Sequence, residues 1–371
     1  KGYFHPDFSY TNGIIKAKDL RIRFSFSGDT KPLSISKIKA GIKIKYNNLS
    51  VTYKVPYVKM GTLPISFEYQ ITENNIFFDT VILNTKTKSK IYMNDLNLTE
   101  KQFESDIEYS LLTYGGYEKG DPKAFDRTVA LDVQTLISFV KATQPKSWEK
   151  YETIYGTSCE KAFVERFCKE VRSLGLLTVL RHGFKDRGIT FRVVYWKPET
   201  SINQTAQEQY ERNVLHCTRQ LHYSVSNENS IDIVLFVNGI PVVSMELKNQ
   251  FTGQDTDNAI RQYKFDRASK DTIFEFKNRV LVHFAVDLYN VFMTTRLMGA
   301  NTYFLSLNQG SNGAGNVGGK GNPQNPNGYQ TAYLWEKVLA KDSLLEILHK
   351  YMHLQVEVSE DKNGNKRTKE T

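Results

Sequence analysis

The chain has 371 residues, 40% hydrophobic and 24% charged. That balance is ordinary for a soluble globular protein and excludes collagen-like, wholly disordered and disulfide-knot classes; the length suits roughly two or three domains. The formal charge is +9, with 15 basic and 7 acidic residues before residue 99 and 34 and 33 after it, so an attraction for polyanions is expected mainly at the N-terminal end.

No apolar run reaches the roughly 18 residues that cross a bilayer. The first residues, KGYFHPDFSY, lack the apolar stretch of a signal peptide. They do not open on Met, as in a processed or trimmed chain. Cys159, Cys168 and Cys217 are an odd, sparse set without a CxxC pair. That speaks against a disulfide framework or zinc ribbon and suits a reducing, cytoplasmic setting.

Residues 1–98 read as a β-rich region of no recognised family. Period-two alternation marks strands at Leu20–Phe26, Ile42–Tyr46, Ser50–Val58, Ile65–Gln70 and Ile76–Leu83. Lysines alternate with Ile in KIKAGIKIKY, as on a solvated strand face or a nucleic-acid-binding one. At Thr99 the pattern changes. Thr99 and Gln102 fit a capping box opening a helix to Leu112. Helical spacing returns in Leu131–Ala142 and Ser158–Leu174. Leu176–Leu180 and Thr190–Tyr195 read as strands, and Gln207–His222 as a helix running into a strand.

The most informative stretch is two apolar runs, Ile231–Val237 and Ile240–Leu247, around Asn238-Gly239, a strong hairpin signal. Against that background stand Asp232, Glu246 and Lys248. Buried charges are costly unless paired or metal-bound, and neighbouring carboxylates repel. A hard divalent cation such as Mg²⁺ relieves both costs. The alternative is an Asp–Lys ion pair at a strand end. The parity of the strands makes the metal reading testable. A plain two-residue turn sets Asp232 opposite Met245; a longer loop or a β-bulge sets it opposite Glu246. Pro241, which donates no ladder hydrogen bond, suits such an irregularity.

From about Phe103 onward the chain resembles the N-terminal part of the R (restriction) subunit of type I restriction-modification enzymes. The stretches that carry the likeness include FDRTVALD (125–132), RHGFKDRGITFRVVYW (181–196), RQLHYS (219–224), IDIVLFVNGIPVVSMELKNQFTGQ (231–254), AIRQYKFDR (259–267) and YLWEKVLAKDSLLEIL (333–348). The resemblance implies a PD-(D/E)xK nuclease domain, an α/β (α+β) mixed sheet flanked by helices, hydrolysing DNA phosphodiesters with Mg²⁺. On it, Asp232 and Glu246 match the metal-binding carboxylates. Lys248 matches the lysine that orients the attacking water, and Glu104, flanked one turn away by Glu100 and Glu108, the helix glutamate that completes the site. The family's Gln-x-x-x-Tyr motif is incomplete: Tyr263 fills the tyrosine slot but Ala259 stands where the glutamine belongs, leaving Gln262 or Gln254 as substitutes. Tyr263 reads equally as helix packing. Arg219 and Gln220 are candidates for phosphate contact, with a structural ion pair the alternative.

The implied organisation is 1–98 β-rich, 99–308 nuclease, 309–330 a Gly/Asn-rich loop, 331–358 a helical connection toward an ATP-driven motor, and 359–371 a disordered tail. The loop's AGNVGGKG (314–321) lacks the Ser/Thr of a nucleotide-binding loop, so ATP is expected to bind elsewhere in the full-length subunit. His349 and His353, four apart, read as a surface pair. Double-stranded DNA and the specificity and methyltransferase subunits are the implied partners, with no membrane. A non-catalytic DNA-binding or assembly module on a degenerate nuclease fold is the alternative.

Overall fold

In the computed structural model the described residues are 100–200, 203–249, 253–325, 328–360 and 366–370, with the backbone of short strands before residue 83. The chain divides into two compact units, Lys1–Asn97 with Gln324–Tyr329, and Leu98–Pro323 with Gln330–Thr371. The first unit holds an antiparallel sheet of Ser34–Ile38, Gly41–Tyr46 and Leu49–Lys54, and a hairpin of Ser66–Thr72 with Asn75–Ile82. The strand expected at Leu20–Phe26 and the lysine-face reading lie outside the described residues, as does most of the expected all-β region.

The second unit is built on a mixed sheet of seven strands: β1 (Glu118–Lys119), β2 (Leu215–His222), β3 (Ser230–Val237), β4 (Ile240–Leu247), β5 (Val282–Val286), β6 (Val291–Thr294) and β7 (Leu305–Ser306), ordered β7-β6-β5-β4-β3-β2-β1. The β1–β2 and β4–β5 pairs are parallel and the rest antiparallel. β4 is buried along its whole length, which is why its sequence is an apolar run rather than an alternation.

Helices flank this sheet: α1 (Glu100–Thr113), α2 (Val133–Thr143), α3 (Pro145–Tyr155), α4 (Cys159–Leu174), α5 (Leu176–His182), α6 (Gln204–Glu211), α7 (Thr256–Phe265) and α8 (Lys341–Glu346). α4 buries Phe163, Phe167 and Val171, one stripe at helical spacing. α1 lies against β2 and β4, and α7 against β4 and β5.

Three sequence expectations are corrected here. Leu176–Leu180, expected as a strand, is helical in α5. Its buried Leu176, Val179 and Leu180 fall at i, i+3 and i+4; a five-residue apolar run shows too little of either period to decide, and Gly175 at φ +82° turns the chain from α4 directly into it. Of the strand expected at Thr190–Tyr195 only Thr190 and Phe191 are in one, the short strand Ile189–Phe191 paired with Phe184–Asp186. The tail expected to be disordered from Ser359 carries a hairpin instead, Val356–Glu360 with Lys366–Glu370. There Lys277 Nζ lies 2.7 Å from Glu370 Oε2, and Arg296 donates to the Glu370 carbonyl at 2.8 Å. Among the described residues no helix is long and apolar enough to cross a membrane.

Candidate active site

The hairpin of β3 and β4 closes on Asn238-Gly239, at φ +49° and +82°, as a two-residue type I′ turn requires. Val237 pairs with Ile240 and Phe236 with Pro241, but Leu235 pairs with Val243. Val242 is therefore the extra residue of a β-bulge; its carbonyl accepts from Leu281 N–H at 2.9 Å. Beyond the bulge Ile233 pairs with Met245. One step further, that register sets Asp232 opposite Glu246. This is the parity correction that the metal reading demanded of the sequence.

At Asp232 the sheet parts. On the β2 side, Arg219 pairs with Ile233 and Leu221 with Ile231. Gln220 between them takes φ +50°, a costly left-handed conformation for a side-chain-bearing residue, of a kind that clusters at functional sites. Its amide donates to Asp232 Oδ1 at 3.2 Å, and on the β4 side the Leu247 N–H donates to Asp232 Oδ2 at 2.7 Å. The carboxylate thus occupies the gap where ladder bonds would run.

Glu246 is fully buried. Oε1 accepts from Arg267 Nε at 2.8 Å, whereas Oε2 is buried and accepts no hydrogen bond. Burial, then the charge of Asp232, push its carboxyl up to about 8 against the pull of Arg267 and Lys248. Lys248 lies two residues on, its Nζ 3.5 Å from Glu100 Oε1. Burial raises the Glu100 carboxyl, helped by Asp232 and Glu104 and opposed by Lys248.

Glu100, Glu104 and Glu108 recur every fourth residue, so α1 presents all three on one face. Glu104 and Glu108 are buried. Arg219 pairs with both, Nε to Glu104 Oε1 at 2.8 Å and Nη1 to Glu108 Oε2 at 3.0 Å. The Gln220 amide also donates to Glu104 Oε2 at 3.2 Å. Glu104 therefore reaches Asp232 through one amide group, and the Arg219 guanidinium is engaged in ion pairs.

The remaining candidates lie apart. Tyr263 is buried in the core, its hydroxyl 2.8 Å from Ser244 Oγ, which also meets His283 Nδ1 at 2.8 Å. Gln262 is half-buried on α7 and Gln254 exposed just ahead of it. His349 stacks on Trp196, ring centroids 4.7 Å apart, rather than pairing with His353. Sequence reasoning missed Arg267, the Glu100–Lys248 contact and the Leu247 amide. Arg267 closes the AIRQYKFDR stretch directly after the C-cap of α7 at Asp266, with no spacing that ties it to Glu246.

Among the described residues no three His, Cys, Asp or Glu side chains gather as a metal cage. Mg²⁺ needs no such cage: it is commonly held by one or two carboxylates and keeps several waters. An orphaned buried oxygen on Glu246, beside a second carboxylate, is the kind of donor set it takes. Residues 159–302 match the family described as Type I restriction enzyme R protein N terminus. The matched segment contains Arg219, Gln220, Asp232, Glu246, Lys248 and Arg267; α1 with its glutamates precedes it. Among curated proteins none matches the chain.

Proposed function

Residues 159–302 belong to the N-terminal region of type I restriction enzyme R proteins, and from that premise we propose that the chain carries a Mg²⁺-dependent endonuclease centre acting on double-stranded DNA. The observation that carries the reading is the bare, buried Oε2 of Glu246, on a strand bulged so that Glu246 and Asp232 stand opposite each other.

Asp232 and Glu246 would hold the cation. A bound Mg²⁺ polarises a phosphoryl oxygen and lowers the pKa of a bound water. The chain's own groups do the rest. Lys248, two residues from Glu246 and therefore on the same face of β4, brings an ammonium to the phosphate and the attacking water. Gln220 and the Leu247 amide fix the Asp232 carboxylate from both sides, so little rotamer freedom is left to lose when the site fills. Glu100 shares the Lys248 ammonium until a phosphate takes its place.

In this reading the specificity and methyltransferase subunits supply the recognition site, and an ATP-driven motor elsewhere in the full-length subunit brings DNA to the centre. The test is plasmid nicking by the assembled restriction complex with Mg²⁺ and ATP, wild type against Glu246→Ala. We expect the variant to bind DNA and leave it uncut. Equal nicking by both excludes the assigned site. Wild-type DNA retention in EDTA with no cleavage under any divalent metal favours the non-catalytic binding module.

A further inference from the structure

The most unusual side chain near the centre is one that the proposed chemistry does not use. Arg267 follows α7 and is 5% exposed. It touches three residues, Glu246, Ser230 and Tyr223. Nε donates to Glu246 Oε1 at 2.8 Å, Nη2 lies 2.8 Å from the same oxygen and donates to the Ser230 carbonyl at 2.7 Å, and the guanidinium lies over the Tyr223 ring, 5.5 Å from its centroid. Ser230 opens β3, two residues before Asp232, and Glu246 is the last residue but one of β4. One planar group thus ties together the strand ends that bear the two carboxylates. Its fork can serve both partners at once, which a lysine's point charge cannot.

We propose that Arg267 is a positioning residue for the cation: it holds Glu246 by Oε1 so that Oε2 is left bare and turned to the metal. This rests on the metal reading above. Two features single it out from a stabilising ion pair. The pair leaves one oxygen of a fully buried carboxylate without a donor, although an arginine has five N–H groups to give. And the rest of the fork is spent on the Ser230 carbonyl and Tyr223 rather than on that oxygen. A pair built for stability alone closes both oxygens in a bidentate clamp. Here the geometry reserves one.

The test is Mn²⁺ binding to the full chain, followed by the paramagnetic signal of the free ion, for wild type, Arg267→Met, Arg267→Lys and Glu246→Gln. Circular dichroism and the melting temperature are recorded alongside. We expect Arg267→Met to weaken Mn²⁺ binding by about tenfold or more, in line with residues that orient metal ligands, and Arg267→Lys to recover part of it. A purely structural role would lower the melting temperature and leave the affinity of the folded fraction unchanged. Wild-type Mn²⁺ affinity in folded Arg267→Met, with binding lost in Glu246→Gln, overturns this inference and spares the metal reading. Wild-type protein that takes up no Mn²⁺, or Glu246→Gln that binds as well as wild type, overturns both. Should Arg267→Met fail to fold, the double variant Arg267→Met/Glu246→Gln decides. Removing both charges restores folding if Arg267 acts on Glu246; a double variant as unfolded as the single one refutes that action.

Discussion

The two ends of the β3–β4 hairpin are built on opposite principles. At the turn, Asn238 is fully buried and its side-chain amide finds uncharged partners at both ends. Its side-chain Oδ1 accepts from Val214 N–H at 2.8 Å, and its side-chain amide donates to the Val193 carbonyl and Asn213 Oδ1, both at 2.9 Å. At the open end, Asp232, Glu246 and Lys248 crowd together, the ladder is broken opposite Gln220, and one carboxylate oxygen has no donor. One end satisfies buried polarity, as folding requires. The other leaves it unsatisfied. Strain and unpaired charge concentrate where a ligand is to complete the structure, and the bulge at Val242 couples the two ends by setting the register of one from the turn of the other.

The contrast is broken most directly at the charged end. Asp232→Asn keeps an acceptor for the Leu247 N–H and removes the repulsion with Glu246. We expect cleavage by the assembled complex to fall by more than about a hundredfold, since metal-assisted phosphoryl chemistry is worth several kcal/mol. The metal-free chain should unfold at the same or a higher denaturant concentration. Loss of cleavage together with loss of fold would make Asp232 structural.

At the turn end the expectation reverses. A Cβ on Gly239 would lie 2.3 Å from the Asp132 carbonyl oxygen, on a residue already at φ +82°. Gly239→Ala should cost about 2–4 kcal/mol of stability, from left-handed strain plus overpacking, measured by urea unfolding, while the cleavage rate per folded complex stays within about twofold, a shift below the 1.4 kcal/mol of a tenfold change. Asn238→Ala should cost less, about 1–3 kcal/mol, because it strands Val214 N–H and the Val193 carbonyl without a clash. A change in metal affinity in either variant would show that the turn reaches the site through the register.

The same contrast governs what could be read beforehand. The hairpin, its turn and the need for a bulge follow from parity: Asp232 and Glu246 are separated by 14 residues, and a two-residue turn cannot bring them face to face without one extra residue. That argument uses only local geometry. The burial of Glu104 and Glu108 was not legible, because helix periodicity says which residues share a face, not what that face meets. Arg219 on β2, more than a hundred residues on, is what lets them be buried. Arg267 was invisible for a related reason. It sits just past a helix end, where no periodicity operates, and its meaning comes from Glu246, 21 residues earlier. Long-range charge pairing leaves little trace in spacing, whereas strand parity leaves a clear one.

The smallest expected effect lies between the two ends, beneath Glu246 on the same strand face. Ser244 Oγ meets both Tyr263 and His283 Nδ1. One hydroxyl has one hydrogen, so Ser244 can donate to only one of the two; one arrangement that satisfies both bonds has Tyr263 donating to Ser244 and Ser244 donating to a neutral His283. Burial alone lowers the His283 pKa from 6.5 to about 3. The sign follows from proton counting. Between about pH 6.5 and 3 the unfolded chain binds a proton at this histidine that the folded chain refuses, so stability falls as the pH drops through that window and is fully present above it. One refused proton contributes a slope of about 1.4 kcal/mol per pH unit. In His283→Asn, whose amide oxygen can still accept from Ser244, the wild-type slope between pH 6 and pH 4 should be reduced by about that amount in denaturant unfolding, even though the variant is less stable at neutral pH. Parallel curves for the two proteins would mean that the imidazole is protonated inside the fold, and that the middle of this hairpin face shares the unsatisfied polarity of its open end rather than the closed bonding of its turn.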